Sequence, residues 1–326
     1  MPSFALTGMC LPLLYNSGFT TSRRCFSLGN NGKIDDLLRW TGSDDTGEEY
    51  FALLSMHPRF ADAARAMCRN MRAQAEIDPA FDALQKDAGR FLAGSWAISL
   101  HLSGGLTLPR LKETCARAGI MSPGRARSLI QFFLFLRYIE AQPPAERGAP
   151  IRYVPTQAML DSRAMMVRIG LEAVRIVEPA VSVVLSRVDD PDILMRFLAH
   201  LGDSYLPSVL GKQPYQKFMD LFIEPHAGVA LIDLIVEAGE GDEFPSSRPI
   251  AISINALAQR LRVSRAHIRR LLDRGHEGGM LTRQDDGSVL FSESMRATIR
   301  YFAALRLYGF LACAAKTHAE TIGTRS

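Results

Sequence analysis

Apolar residues recur along most of the chain at the three- and four-residue spacing of a helix face, interrupted by short β-like runs that end on turn residues. In the C-terminal part, PHAGVALIDLIVEAG predicts a helix of about thirteen residues, and the Gly, Pro and Ser of EGDEFPSSRPI predict a loop. INALAQRL carries Ile254, Leu257 and Leu261 on one helical face, and Ser264 stands where an N-cap opens the next helix. Met280-Leu281-Thr282 and Val289-Leu290-Phe291 flank a turn at Asp286-Gly287, a hairpin signal. A long helix follows from about Glu293 to Ala315.

The same order of elements occurs earlier in the chain. GSWAISLHLSGG, Gly94 to Gly105, lies over GVALIDLIVEAG, Gly228 to Gly239, with apolar residues matching at Ala97/Leu231, Ile98/Ile232, Leu100/Leu234 and Leu102/Val236. LTLPRL, Leu106 to Leu111, lies over ISINAL, Ile252 to Leu257, and Met121 to Ile139 lies over Val263 to Leu281. Ser122-Pro123 opens the second helix of the earlier pair, since proline at the first helical position has its φ preset. Tyr138-Ile139 pairs with Ile151 to Val154 across EAQPPAERGAP, and a closing helix runs from Thr156 to about Glu178. Self-similarity of this kind is the mark of internal duplication.

The expected fold is therefore mainly α with small β wings: tandem winged helix-turn-helix repeats forming a pseudo-dimer. An N-terminal arm, partly disordered, is expected over residues 1–45, with a short docking helix around Leu37-Leu38 and Trp40. The first repeat is expected over 46–180 and the second over 181–326.

At 326 residues the chain is long enough for two such units with their own cores. Five cysteines, odd in number, scattered and never spaced as CxxC, argue against a disulfide framework and a zinc site, and favour a reducing, cytoplasmic setting. No run of apolar residues is long enough for a membrane span, and the N-terminus lacks the basic start of a secretory signal. A net charge of +4 is too modest to assign a partner, so the placement of charge has to decide.

That placement is concentrated in VSRAHIRRLLDRG. On a helix opened by Ser264, Ile268, Leu271 and Leu272 point inward, leaving Arg265, Arg269 and Arg270 on other faces with His267 and Arg274 beside them. With INALAQRL crossing it through a short turn, this is the arrangement of a helix-turn-helix whose second helix enters the major groove of double-stranded DNA. Arg125, Arg127, Ser128 and Gln131 are the corresponding candidates in the first repeat, where Arg137 takes the place of Gly279. Phe132, Phe133 and Phe135 are expected in the core or against a neighbouring helix. Arg283 at the base of the second hairpin, with Arg147 and Arg152 flanking the first, are candidate phosphate contacts, while Asp285 and Asp286 are expected to form the turn.

INALAQRLRVSRAHIRRLL, the Gly279-Met280-Leu281 step, the Asp285-Asp286-Gly287 wing and the helix after it resemble the MarR-like winged-helix transcriptional regulators of bacteria, over about 60 residues. Such regulators act as homodimers, so the resemblance implies a dimer fused into one polypeptide: a monomer acting as a pseudo-dimer on an imperfectly palindromic site. It also implies a small, frequently aromatic effector. Trp96, Phe91, Tyr205, Phe218, Phe222, Tyr301, Phe302 and Tyr308 are candidates for its cleft, although each reads first as core. No Gly-rich phosphate loop, HExxH or GxSxG is present, and the seven histidines are not paired at metal-ligand spacing, so neither an enzyme, a metal site nor a cofactor is expected. The alternative is a degenerate winged-helix scaffold that binds a protein or a small ligand without specific DNA binding.

Overall fold

The structure, a computed structural model, describes residue 37 and residues 53–118, 122–144, 146–204, 216–241 and 243–323. The chain divides into a unit of Met1–Asn31, outside those residues, and a unit of Gly32–Ser326. Of the expected arm and its docking helix, only Leu37 is described; it is helical and fully buried.

The described fold is mainly helical with two small antiparallel sheets. Its elements are α1 (Phe60–Ile77), α2 (Pro79–Gln85), α3 (Ala88–Leu102), β1 (Leu106–Thr107), α4 (Leu108–Ala118), α5 (Pro123–Phe135), β2 (Ile139–Gln142), β3 (Arg152–Pro155) and α6 (Gln157–Val174). After a 3-10 turn at Pro179–Val181 come α7 (Ser182–Leu185), α8 (Pro191–Ser204), α9 (Gln216–Phe218) with a π segment at Met219–Ile223, and α10 (Gly228–Ala238). The remainder is α11 (Ile254–Arg260), α12 (Arg265–Glu277), β4 (Leu281–Arg283), β5 (Val289–Phe291) and α13 (Glu293–Gly323).

Both halves run helix, helix, helix, hairpin, helix, with a strand after the first helix in the earlier half and a single bridging residue, Ile250, in the later one, and several hydrogen bonds match between them. Tyr138 N donates to Phe133 O at 2.8 Å, and Met280 N to Gly275 O at 2.9 Å. Thr156 N donates to Tyr138 O at 2.9 Å, and Ser292 N to Met280 O at 3.0 Å. Ala126, Leu129 and Ile130 are buried in α5 as Ile268, Leu271 and Leu272 are in α12. Arg137 and Gly279, matched in sequence, both adopt the left-handed backbone that closes the helix, with φ of 55° and 66°.

One offset differs from the sequence alignment. Leu106 pairs with Tyr153 on β3, and Ile250 forms a bridge with Val289 on β5, so the residue of the later half that corresponds to Leu106 is Ile250 rather than Ile252. In both halves the segment after the first helix therefore lies against the second arm of the hairpin, and in the first half the sheet order is β1-β3-β2. Two residues of slack between strand and helix hide this in an ungapped match, because both Ile250 and Ile252 are apolar.

The halves are not separately packed bodies. α1 packs on α10 of the later half, and α8 packs on α3 of the earlier one, while each also lies on its own half's closing helix, α6 or α13. The closing helices cross with Gly170 under the Phe310 ring, where a Cβ would approach to 2.4 Å. Leu171, Val174, Leu307 and Leu311 are fully buried in this shared core. Such reciprocal packing buries apolar surface that neither half can cover alone.

A buried ionic cluster crosses the same seam. Asp82 meets Lys86 Nζ at 2.6 Å and Arg72 at 3.6 Å, all three side chains being under 10 % exposed. Lys86 Nζ also donates to Leu261 O, in the turn between α11 and α12, at 2.9 Å, and Arg262 approaches Asp82 at 3.7 Å. No described helix is long and apolar enough to cross a membrane.

Candidate nucleic-acid interface

α11 and α12 pack as a crossed pair because each is opened by a serine. Ser253 Oγ accepts from Ala256 N at 3.3 Å, and Ser264 Oγ from His267 N at 3.1 Å, each satisfying a first-turn donor. Ser122 holds the same place before α5 without a side-chain cap, and Pro123 at the first position makes one less necessary. Ile268, Leu271, Leu272 and Gly275 form the buried face of α12.

The remaining faces of α12 are not alike. Arg265, Arg269 and Arg270 are exposed and form no ion pair or hydrogen bond with a described residue. They cluster in the N-terminal half of the helix, where a groove-inserted helix meets base edges. His267 and Arg274 lie along a different line. His267 Nε2 is 2.7 Å from His226 O, and Arg274 donates to Asp220 O at 3.1 Å, so both are turned onto the segment leading into α10. Close packing there is also set by Gly275, whose Cβ would stand 2.9 Å from the Phe222 ring. Arg283 is drawn to Asp273 at 3.1 Å across the foot of the hairpin.

The first half repeats this division. Arg125 makes two 2.8 Å contacts with both oxygens of Asp87, the residue that caps α3. Arg127, Ser128 and Gln131 are exposed and have no hydrogen bond or ion pair to a described residue. Arg152 is exposed on β3, with its guanidinium beside Gly105, and Arg147 is exposed in the hairpin loop. Of the ten candidate residues, Arg125, His267, Arg274 and Arg283 are therefore engaged within the protein, while Arg127, Ser128, Arg152, Arg265, Arg269 and Arg270 face outward.

The phenylalanine cluster separates. Phe133 is fully buried, Phe132 is half-buried with the Arg90 guanidinium 4.1 Å over its ring, and Phe135 is 83 % exposed, against the expectation that it packs inside. Phe135 lies on the exposed side of α5 with Ser128 and Gln131, and the α5 periodicity carries that information: Ala126, Ile130 and Phe133 fill the inward positions. In the second hairpin, Asp286 accepts from Ser288 N at 2.9 Å, and hydrogen bonds from Ser288 hold its carboxyl below the usual range.

Among the aromatic residues considered for an effector cleft, Trp96, Phe218 and Phe222 are buried in the core, and the Phe218 ring packs at a tilt against both Phe222 and Phe302. Phe91, Tyr301, Phe302 and Tyr308 are half-buried against that core, and Tyr205 lies outside the described residues. Burial pushes the thiols of Cys68, Cys115 and Cys313 up, the last to about 12, so none is an activated nucleophile. No group of three metal-ligating side chains occurs among the described residues. No protein-family model, curated protein or solved structure matches this chain.

Proposed function

We propose that the protein is a sequence-specific, double-stranded DNA-binding transcriptional regulator, built as two winged helix-turn-helix repeats in one chain and acting as a monomeric pseudo-dimer. The observation that carries this reading is the unpartnered cluster of Arg265, Arg269 and Arg270 on the N-terminal half of α12. A solvated helix face gains from i,i+4 pairing with acids. Here Asp273, the acid four residues beyond Arg269, is occupied by Arg283 instead. Three uncompensated arginines beside a capped helix start suit phosphate and guanine recognition, where bidentate pairing is available. The repeated helix pair, the hairpins and the reciprocal packing support two reading helices on one rigid body. A small aromatic effector and a non-enzymatic role belong to the same proposal.

The test is recovery of fragmented genomic DNA on the purified protein at two salt concentrations, beside a variant with Arg265, Arg269 and Arg270 changed to alanine. Enrichment of a few fragments, lost in the variant, supports the reading. Retention that the triple change leaves intact overturns it. The exposed Phe135, beside the uncharged Ser128 and Gln131, then favours the scaffold alternative, a surface that binds a protein.

A further inference from the structure

We infer that the two reading helices recognise chemically different half-sites: a guanine-bearing half under α12, and a half under α5 that shares one guanine with it but continues into adenine. The inference rests on the DNA-binding reading above and specifies its ligand.

The matched backbone geometry makes the two helices comparable residue by residue. Arg127 on α5 stands where Arg269 stands on α12, and both are exposed without a described partner. An arginine donates to guanine O6 and N7 in bidentate fashion, so this shared position selects the same base in each half. The neighbouring positions diverge. Ser128 replaces Arg270, and Gln131 replaces Asp273. Gln131 is exposed and its amide has no described partner, leaving both its donor and its acceptor available. An amide of this kind pairs with adenine N6 and N7, which the guanidinium of Arg270 cannot do because it has no acceptor.

On α12 the corresponding acid cannot take over a reading role. Asp273 is held by Arg283 at 3.1 Å, and Glu277 lies in the last turn. Arg270, with Arg265 one turn before Arg269, is left as the recognition group beyond Arg269. On α5 itself Arg125 is committed to both oxygens of Asp87, and the exposed Arg137, Arg147 and Arg152 lie beyond the helix, at its C-terminal end and in the hairpin, among Glu140 and Glu146, so Arg127 is the arginine that the helix itself offers. Positive charge over α12 and a neutral amide over α5 therefore divide the specificity of one chain, as a homodimer of identical subunits does not.

The experiment is selection from a pool of random-sequence double-stranded DNA with the full chain, repeated with Gln131→Ala, Arg270→Ala, Arg127→Ala and Arg269→Ala, each checked for native helicity by circular dichroism. The expected site is bipartite and asymmetric. Gln131→Ala relaxes an adenine in one half and Arg270→Ala a guanine in the other, each by about fivefold to a hundredfold against the wrong base. Arg127→Ala and Arg269→Ala relax matching guanines in opposite halves. Two halves of identical sequence overturn the inference while leaving the DNA-binding reading intact, as does an asymmetric site whose adenine survives Gln131→Ala. A pool with no enrichment at all overturns both.

Discussion

Arg125 and His267 stand at the same turn of their two helices, and each reaches back to the start of its own half's core helix: Arg125 to the Asp87 carboxylate at 2.8 Å, His267 to His226 O at 2.7 Å. A guanidinium and an imidazole thus occupy one position, each tying its helix, α5 or α12, to the start of α3 or to the segment before α10. Asp87 also accepts from Arg90 N at 3.0 Å as the cap of α3. Asp87→Ala therefore removes a cap and an ion pair, in which one guanidinium nitrogen donates to both carboxylate oxygens, and lowers stability by about 1–2 kcal/mol. Arg125→Ala removes only the pair, whose arginine is 43 % exposed, and costs less than about 1 kcal/mol. Urea denaturation of the two variants checks the order; equal losses would mean the cap contributes nothing.

The equivalence of Arg137 and Gly279 yields a reciprocal pair of changes. Both sit at positive φ, which an L-residue with a Cβ resists and glycine does not. Arg137 is exposed, and its carbonyl, not its side chain, accepts from Thr156 Oγ1 at 2.7 Å. Arg137→Gly should stabilise the protein by about 1 kcal/mol through relief of this strain, less the added freedom of the unfolded chain. Gly279→Arg should lose a similar amount. Melting temperatures that move in the same direction for both would refute the shared geometry.

How much of this was legible in the sequence follows from where the physics is local. The helix pairs and both hairpins came from caps, apolar spacing and turn residues, all set within about ten residues of chain. Ser264 announces α12 in this way, and Asp286-Gly287 its hairpin. What stayed hidden depends on distant partners. His267 and Arg274 look like free cations until the segment at 216–227 is laid against them, and nothing in their own helix predicts it. The same holds for the exchange of α1 and α8 between halves, which no local pattern encodes. Asp82 and Lys86 did carry a signal, an i,i+4 ion pair, but not that Leu261 would complete it.

That cluster gives the largest expected loss of stability. Asp82 is 4 % exposed and stands between Lys86 at 2.6 Å and Arg72 at 3.6 Å, themselves buried. Asp82→Ala leaves two cations without their carboxylate and should cost about 3–5 kcal/mol in urea denaturation. Because Lys86 also holds Leu261 O at 2.9 Å, the loss should extend to the turn before α12. Hydrogen exchange of the α11 and α12 amides should then rise with those of α2; protection kept in α12 would show that the seam does not support it.

Acid should weaken the fold through His226. Burial holds its pKa below the usual 6.5, with Lys86, Arg90 and His267 adding to the depression and Asp87 opposing it. The unfolded chain therefore takes up a proton near pH 6.5 while the folded chain resists. Above that pH both states are neutral and nothing is lost; as the pH falls through it, stability declines until the lower folded pKa is passed. His57, depressed by burial and by Arg59 against Glu178, acts in the same direction. His226→Gln keeps the backbone carbonyl that meets His267 but removes the titration. Urea midpoints measured from pH 8 to pH 5 should fall less steeply in this variant than in the parent, with a further flattening when His57→Gln is added. Superimposable pH profiles would exclude His226 as a source of acid sensitivity.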